Sequence, residues 1–310
     1  MGATAIRTDN LVRNFGAICA VDKLSLEIPA GLVFGFLGPN GSGKTTTIRL
    51  LLGLLEPTSG RAEVLGFDTR RQADEIRQRT GALLEHAGLY ERLTAEDNLQ
   101  LYGRIWHLST GDRQLRIKEL LTHLGLWDRR KEKVINWSRG MRQKLAVARA
   151  MLHRPTLIFL DEPTAGLDPI AAAVLRDDLS ALAVREGVTV FLTTHNLAEA
   201  EKLCAMVGII REGNLLAVGH PDELRVNVGG PQAEIIGRGF NEQTLTMLRA
   251  RPEVATANLQ NGRLLIDLKT KSDVAPLVSS MVMAGVEIEE VRKGDATLEE
   301  TFLTLMGEET

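Results

Sequence analysis

The stretch Gly38-Pro39-Asn40-Gly41-Ser42-Gly43-Lys44-Thr45 constrains this chain more than any other. It fits G-x-x-x-x-G-K-[ST], the phosphate-binding loop pattern, without a mismatch. Before it runs Leu32-Val33-Phe34-Gly35-Phe36-Leu37, which has the length and composition of a buried strand. After it, Thr46 to Leu54 carries a helical pattern that Pro57 ends. The glycines let successive backbone N–H groups curl toward phosphate oxygens. The helix beginning near Lys44 adds unpaired N–H groups and a partial positive charge. Lys44 is expected to reach the β- and γ-phosphates and the Thr45 hydroxyl to bind Mg²⁺, with Thr46 in the same nucleotide contact. A glycine-rich turn that binds nothing is the alternative, and the match of both motif and context argues against it.

At 310 residues the chain is long enough for about two domains. Hydrophobic residues make up 44% and charged residues 25%, ordinary values for a globular protein with a core. The net charge is −3, and the acidic excess sits beyond Gly229, where 13 Asp and Glu face 8 Lys and Arg. That balance opposes binding to a phosphate backbone, so no nucleic-acid partner is expected. Cys19 and Cys204 stand apart from any metal-spaced cluster or C-x-x-C pair and read as reduced thiols of a cytoplasmic protein. No run of about 18 apolar residues offers a membrane span, and the first residues lack a signal-peptide core.

Residues 4–30 read as short strands, with Leu24 to Ile28 alternating apolar and polar. Arg61 to Leu65 alternates too, so these segments form a small antiparallel sheet beside the phosphate-loop core. Residues 68–130 read as mostly helical. One helix starts at the N-cap Thr94 and places Leu99, Tyr102, Ile105 and Trp106 in the core; a second carries Leu115, Leu120, Leu121, Leu124 and Leu126. From 140 to 215 strands at 157–160, 188–192 and 207–210 alternate with helices near 141–152, 171–186 and 196–204, the pattern of a parallel sheet covered on both faces. Asn227 to Pro231 reads as a linker. Beyond it come strands near 233–237, 254–259, 263–268 and 286–292 with helices near 242–250, 273–284 and 298–306, a small α+β domain.

Leu157-Ile158-Phe159-Leu160 ends in Asp161-Glu162. In a phosphate-loop protein an acid at such a strand end supports Mg²⁺, here Asp161. Glu162, one residue on, suits deprotonation of an attacking water. Taken alone, the two acids could equally cap a helix.

The ordered set resembles the nucleotide-binding subunit of an ABC transporter across roughly residues 4–220. Phe15, in Arg13-Asn14-Phe15-Gly16, matches an aromatic that stacks on adenine; alone it would be a core or edge aromatic. The phosphate loop at 38–45 follows. Trp137-Ser138-Arg139-Gly140-Met141 matches the signature region, Ala165-Gly166-Leu167-Asp168 the D-loop, and Thr194-His195 the switch histidine. Alone, Ser138 would be a helix N-cap, Asp168 a helix start and His195 a hydrogen-bonded histidine. The signature departs from Leu-Ser-Gly-Gly-Gln at Trp137, Arg139 and Met141 but keeps Ser138 and Gly140. The Q-loop glutamine is Glu85, which can bind Mg²⁺ or accept a hydrogen bond but donates none.

The resemblance implies an α/β P-loop NTPase of the ABC type over 4–222, with an antiparallel β subdomain and a helical subdomain at about 86–140. A C-terminal accessory α+β domain over 229–310 follows, similar to that of antibiotic-resistance export ATPases; it serves dimer contact or docking, or simply stabilises. Two ATP molecules would close a homodimer, each held by one phosphate loop and the other copy's Ser138 and Gly140, with Glu162 and His195 catalytic and Asp168 at the interface. A separate membrane permease would hold the dimer on the inner face of the cell membrane. The rival readings are a soluble ATPase acting on nucleic acid or ribosomes and a non-hydrolysing regulatory subunit.

Overall fold

The computed structural model describes residues 3–225, 231–260, 262–269, 273–295 and 301–302. In chain order the elements are β1 (Thr4–Phe15), β2 (Ile18–Pro29), β3 (Val33–Leu37), α1 (Lys44–Leu51), β4 (Ser59–Val64), β5 (Phe67–Asp68), α2 (Ala73–Arg79), β6 (Thr80–Leu83), α3 (Ala95–Ile105), α4 (Thr110–His123), α5 (Arg139–Met151), β7 (Leu157–Asp161), α6 (Pro169–Glu186), β8 (Thr189–Thr194), α7 (Leu197–Leu203), β9 (Met206–Arg211) and β10 (Asn214–Gly219). They continue with α8 (Pro221–Leu224), β11 (Pro231–Arg238), α9 (Glu242–Arg249), β12 (Val254–Gln260), β13 (Arg263–Leu268), α10 (Ala275–Met283) and β14 (Glu287–Asp295). The chain divides into two compact units, residues up to Val218 and residues from Gly219 on.

The first unit holds two sheets. The six-stranded sheet runs β10-β9-β3-β8-β7-β6, with β3, β6, β7, β8 and β9 joined by parallel pairing. β7 and β8 are buried along their whole length, as parallel strands covered on both faces must be. Phe34, Phe36 and Phe159 each pack a ring on Phe191 at centroid distances of 5.3–5.6 Å, tying three neighbouring strands into one core. The second sheet, β2-β1-β4-β5, is antiparallel. α3, α4 and α5 pack together beside the sheets.

Several expectations change. The stretch 68–130 is not helical throughout: Thr80–Leu83 forms β6, the edge strand beside β7. The strand is only four residues long, and Gly81 sits where a Cβ would lie 2.2 Å from the Ala150 carbonyl oxygen, so the residue that lets α5 approach reads as a break in a strand. Ile105 and Leu115, read as core, are 58% and 71% exposed. β10, a strand alternating between exposed and half-buried residues, also went unforeseen. The linker residues 227–230 and most of the helix expected at 298–306 lie outside the described residues.

The second unit runs β-α-β-β-α-β with strand order β12-β13-β11-β14 and every neighbour antiparallel. α9 and α10 cover one face, where Leu245, Leu248, Leu277 and Met281 meet Ala233, Ile235, Leu264 and Ile266.

Candidate functional site

Parallel pairing brings three strand ends to one edge. Leu37 of β3 lies opposite Thr194 of β8, and Asp161 of β7 lies opposite Thr193. The residues that follow β3, β7 and β8 therefore meet at the carboxyl end of the sheet, where open α/β sheets bind ligands.

The loop after β3 needs its glycines. A Cβ on Gly38 would lie 2.3 Å from the Ile210 carbonyl oxygen, and one on Gly43, at φ +104°, 2.2 Å from that of Ala20. Gly41, at φ +82°, has nothing within 4 Å of its Cβ position, so its side of the loop is open. Pro39 and Asn40 are exposed at the loop tip, while the Ser42 Oγ is buried with no partner. An orphaned buried hydroxyl in a loop with one open side, beside a buried lysine, fits a phosphate group. α1 begins at Lys44 with no acid in its first turn. Lys44 is 6% exposed, and its Nζ donates to the carbonyls of Gly38 at 2.6 Å and Pro39 at 3.1 Å. Thr46 is half-buried in the same turn.

The acid pair is wired to that loop. The Thr45 Oγ1 donates to Asp161 Oδ2 at 2.7 Å, and the Thr193 Oγ1 donates to Asp161 Oδ1 at 2.6 Å. The Glu162 N–H donates to Thr193 Oγ1 at 3.0 Å. Glu162 has φ +49°, a left-handed conformation that costs a side-chain-bearing residue roughly 1–3 kcal/mol and is kept where the surroundings force it. The bend sets the carboxylate between two bases. Oε1 lies 3.3 Å from Lys44 Nζ, a charge contact without hydrogen-bond alignment, and Oε2 lies 2.8 Å from His195 Nδ1. Thr193, which holds both acids, went unrecognised in the sequence; its signal was the pair Thr193-Thr194 directly after the apolar run Val190-Phe191-Leu192.

The donor set also fits Mg²⁺. Among the described residues no group of three His, Cys, Asp or Glu could hold a metal. Mg²⁺ is usually bound by one or two protein oxygens together with substrate phosphates, and the Thr45 hydroxyl beside the Asp161 carboxylate supplies such a pair.

Other expected residues lie apart from this cluster. Ser138 N-caps α5, its Oγ accepting from the Met141 N–H at 3.2 Å. Gly140 lets α5 approach α6, since a Cβ there would touch that of Ala171 at 3.3 Å. Asp168 N-caps α6 by accepting from Ala171 N–H at 2.9 Å, and the Arg139 guanidinium lies over Gly166 between them. The Glu85 carboxylate lies 3.5 Å from Arg49 of α1, an exposed pair. Phe15, at the end of β1, is 44% exposed with the Arg13 guanidinium 4.4 Å over its ring.

The chain resembles known proteins in sequence and in fold. Residues 21–165 match the sequence model described as ABC transporter. The daunorubicin resistance ATP-binding protein DrrA3 of Streptomyces coeruleorubidus is 36% identical over 310 residues, covering 100% of this chain and 98% of the relative. The bacitracin transport ATP-binding protein BcrA of Bacillus licheniformis is 43% identical over 214 residues, 69% of each chain. Among solved structures, one titled as the ATP binding subunit of an ABC transporter superposes with TM-score 0.66 at 30% identity, covering 73% of this chain and 94% of that one.

Proposed function

Since the chain belongs to the ABC transporter family of ATP-binding proteins and is an ATPase, we propose that it powers the export of a drug or antibiotic through a separate membrane permease. The cargo class rests on relatives named for daunorubicin resistance and bacitracin transport. No helix among the described residues is long and apolar enough to cross a membrane, so a permease is what would hold the chain at the inner, cytoplasmic face. The surface we assign to that permease is the apolar cleft of about 430 Å³ lined by Leu54, Tyr102, Ile105 and Trp106.

The observation that carries the mechanism is the contact chain Lys44–Glu162–His195 beside Thr45–Asp161. The open amides of the loop and Lys44 bind the phosphates. The 3.3 Å between Lys44 and Glu162 leaves no room for a phosphoryl group and a water. A γ-phosphate must therefore draw Lys44 off and release Glu162 Oε1, which then accepts the proton of the attacking water. His195 holds the other carboxylate oxygen, so the base keeps its direction while Oε1 is free. Thr45 and Asp161 would hold Mg²⁺, which neutralises charge on the β- and γ-phosphates. Phe15 offers an exposed ring for adenine. Ser138 and Gly140 lie away from their own chain's loop, so we assign them, with Asp168, to the ATP of a second copy in a closed homodimer. Glu85 faces Arg49 of the helix that follows the loop, which suits a link between that helix and the permease surface better than a metal ligand.

The test is Glu162→Gln. It is expected to bind ATP, to lose hydrolysis by roughly 10²–10⁴-fold, and to accumulate as an ATP-dependent dimer. Lys44→Ala, measured in parallel, should lose ATP binding itself. Wild-type turnover in Glu162→Gln would remove Glu162 as the base. Recovery of the chain from cells only with ribosomes or DNA, and never with a polytopic membrane protein, would overturn the transport reading.

A further inference from the structure

The end of β1 holds a ring and a cation in an inverted order. Rings usually lie inward and charges outward. Where Arg79 lies over Phe67, Arg130 over Trp127 and Arg149 over Tyr102, the ring is half-buried. Phe15 instead stands in solvent, while Arg13 is half-buried and its Nε is buried with no hydrogen-bond partner. A buried guanidinium nitrogen without a partner costs free energy, and an exposed ring gains little by burial. Folding stability alone does not account for the pair.

The cation is held from behind. Arg13 Nη1 donates to the Glu56 carbonyl at 2.8 Å, in the segment that follows α1. The same segment grips the strand on either side: the Thr58 N–H donates to the Val12 carbonyl at 2.7 Å, and the Asn14 N–H donates to Thr58 Oγ1 at 3.0 Å. Arg13 and Phe15 stand two residues apart on one strand, and the guanidinium carbon lies 4.4 Å over the ring centroid. One face of the ring is therefore covered, and the exposure that remains belongs to the other face and the rim. The hairpin also stands at the phosphate loop. Phe15 pairs with Ile18 across the turn. Two residues on, the Ala20 carbonyl lies 2.2 Å from where a Cβ on Gly43 would sit. Gly213 fastens the two, donating to the Ser42 carbonyl at 3.0 Å and accepting from the Asp22 N–H at 2.9 Å. Two strand residues span about 7 Å, so the ring stands within reach of a base whose phosphates lie on the loop.

We propose that Arg13 is a positioning residue for the base of the bound nucleotide, an inference that rests on the reading above that Phe15 takes adenine. The guanidinium holds one face of the ring and the purine stacks on the other, in the order cation, ring, base. The cation acts in two ways. It restrains the ring, so stacking on the free face costs less conformational freedom. It also draws π density toward itself, which makes the free face less negative and a better partner for an electron-rich purine. Neither effect reaches the phosphates, so Arg13 serves the base alone and acts only through Phe15.

The test titrates the full chain with two ligands in the presence of Mg²⁺, ATP and inorganic tripolyphosphate, and reads both affinities by calorimetry. Tripolyphosphate occupies the loop and Lys44 but carries no base. Arg13→Met removes the charge and keeps most of the bulk. It should weaken ATP about 2–5-fold, the effect of an exposed cation–ring contact, and leave tripolyphosphate unchanged. Phe15→Ala should weaken ATP roughly 5–150-fold, the effect of a lost base stack, and also spare tripolyphosphate. Added to Phe15→Ala, Arg13→Met should cost less than it does alone, because its effect runs through the ring. The proposal falls if Arg13→Met leaves ATP affinity unchanged, if it weakens both ligands equally, or if it costs as much without Phe15 as with it. The last two results would reduce Arg13 to a brace of the hairpin and leave Phe15 as the base platform. Full ATP affinity in Phe15→Ala would instead remove the base site itself, and this proposal with it.

Discussion

Thr193 shows how one hydroxyl can serve a site without touching the ligand. Its Oγ1 donates to Asp161 and accepts from the Glu162 N–H, so it orients the acid assigned to the metal and the backbone of the acid assigned to the water. Asp161 is 7% exposed; without that donor, a buried carboxylate oxygen loses a hydrogen bond it cannot replace from bulk water. Thr193→Val keeps the shape and removes the hydroxyl. Turnover is expected to drop about 10–100-fold, the usual cost of losing a group that orients a ligand, with ATP affinity within a few-fold of wild type and Thr193→Ser near wild type. Steady-state rates beside a nucleotide-binding titration decide it. Unchanged turnover in Thr193→Val would reduce the residue to packing. The sequence made Lys44, Thr45, Asp161 and Glu162 legible because motif spacing carries them. Thr193 reaches Asp161 only through the register of β7 on β8, which spacing along the chain does not display.

At the scale of elements, α4 shows why the helical region was read less well. The sequence suggested a leucine face beginning at Leu115, yet Leu115 is exposed and the inward face carries Arg113, Arg116, Ile117, Leu120 and Leu121. Two arginines occupy positions that a hydrophobic pattern leaves to apolar residues. Arg116 is buried at a junction of three helices. Its Nη1 meets Glu119 of its own helix and Glu186 at the end of α6, each at 3.0 Å, and its Nη2 donates to the Met151 carbonyl of α5 at 2.8 Å. Burial works against the Glu186 charge, and hydrogen bonds from Arg116 and Arg185 outweigh it, holding the carboxyl below its usual range. Glu186→Ala would leave the buried Arg116 guanidinium with Glu119 as its one carboxylate partner. We expect that to lower the stability of the first unit by about 1–3 kcal/mol, while the double change Arg116→Met with Glu186→Leu costs less. Denaturant unfolding of the three variants measures this, and equal losses in the single and double variants would refute the ion-pair account. The parallel strands were legible because burial on both faces writes continuous apolar runs. The junction was not, because the partners of Arg116 on α5 and α6 lie 35 and 70 residues from it.

At the scale of the whole molecule, two separate cores imply two unfolding transitions, and pH should act on them unequally. His153 belongs to the first unit. Its ring stacks on Trp106 at 3.8 Å, its Nε2 lies 3.1 Å from the Thr80 carbonyl, and its Nδ1 is buried without a partner. Burial, aided by the nearby Arg116 charge, pushes its pKa down to about 4. Folded His153 therefore stays neutral between about pH 4 and 6.5, where the unfolded chain takes up a proton. Stability rises with pH wherever the unfolded state binds more protons. This contribution is complete above about pH 6.5 and fades as the solution is acidified toward pH 4. Between pH 7.5 and pH 5 the loss from this group is about 1–2 kcal/mol, a few degrees in the midpoint of a unit of this size. The C-terminal unit holds a single histidine, His220, which is about half exposed, so its transition should move less. His153→Phe keeps a ring against Trp106 and stays neutral at every pH. It sacrifices the hydrogen bond to Thr80, a constant cost of about 1 kcal/mol, and should flatten the pH dependence of the first transition. Calorimetry of wild type and His153→Phe at both pH values separates the two effects. If the first transition of the variant fell with acid as steeply as that of wild type, the acid sensitivity would belong to other groups of the first unit.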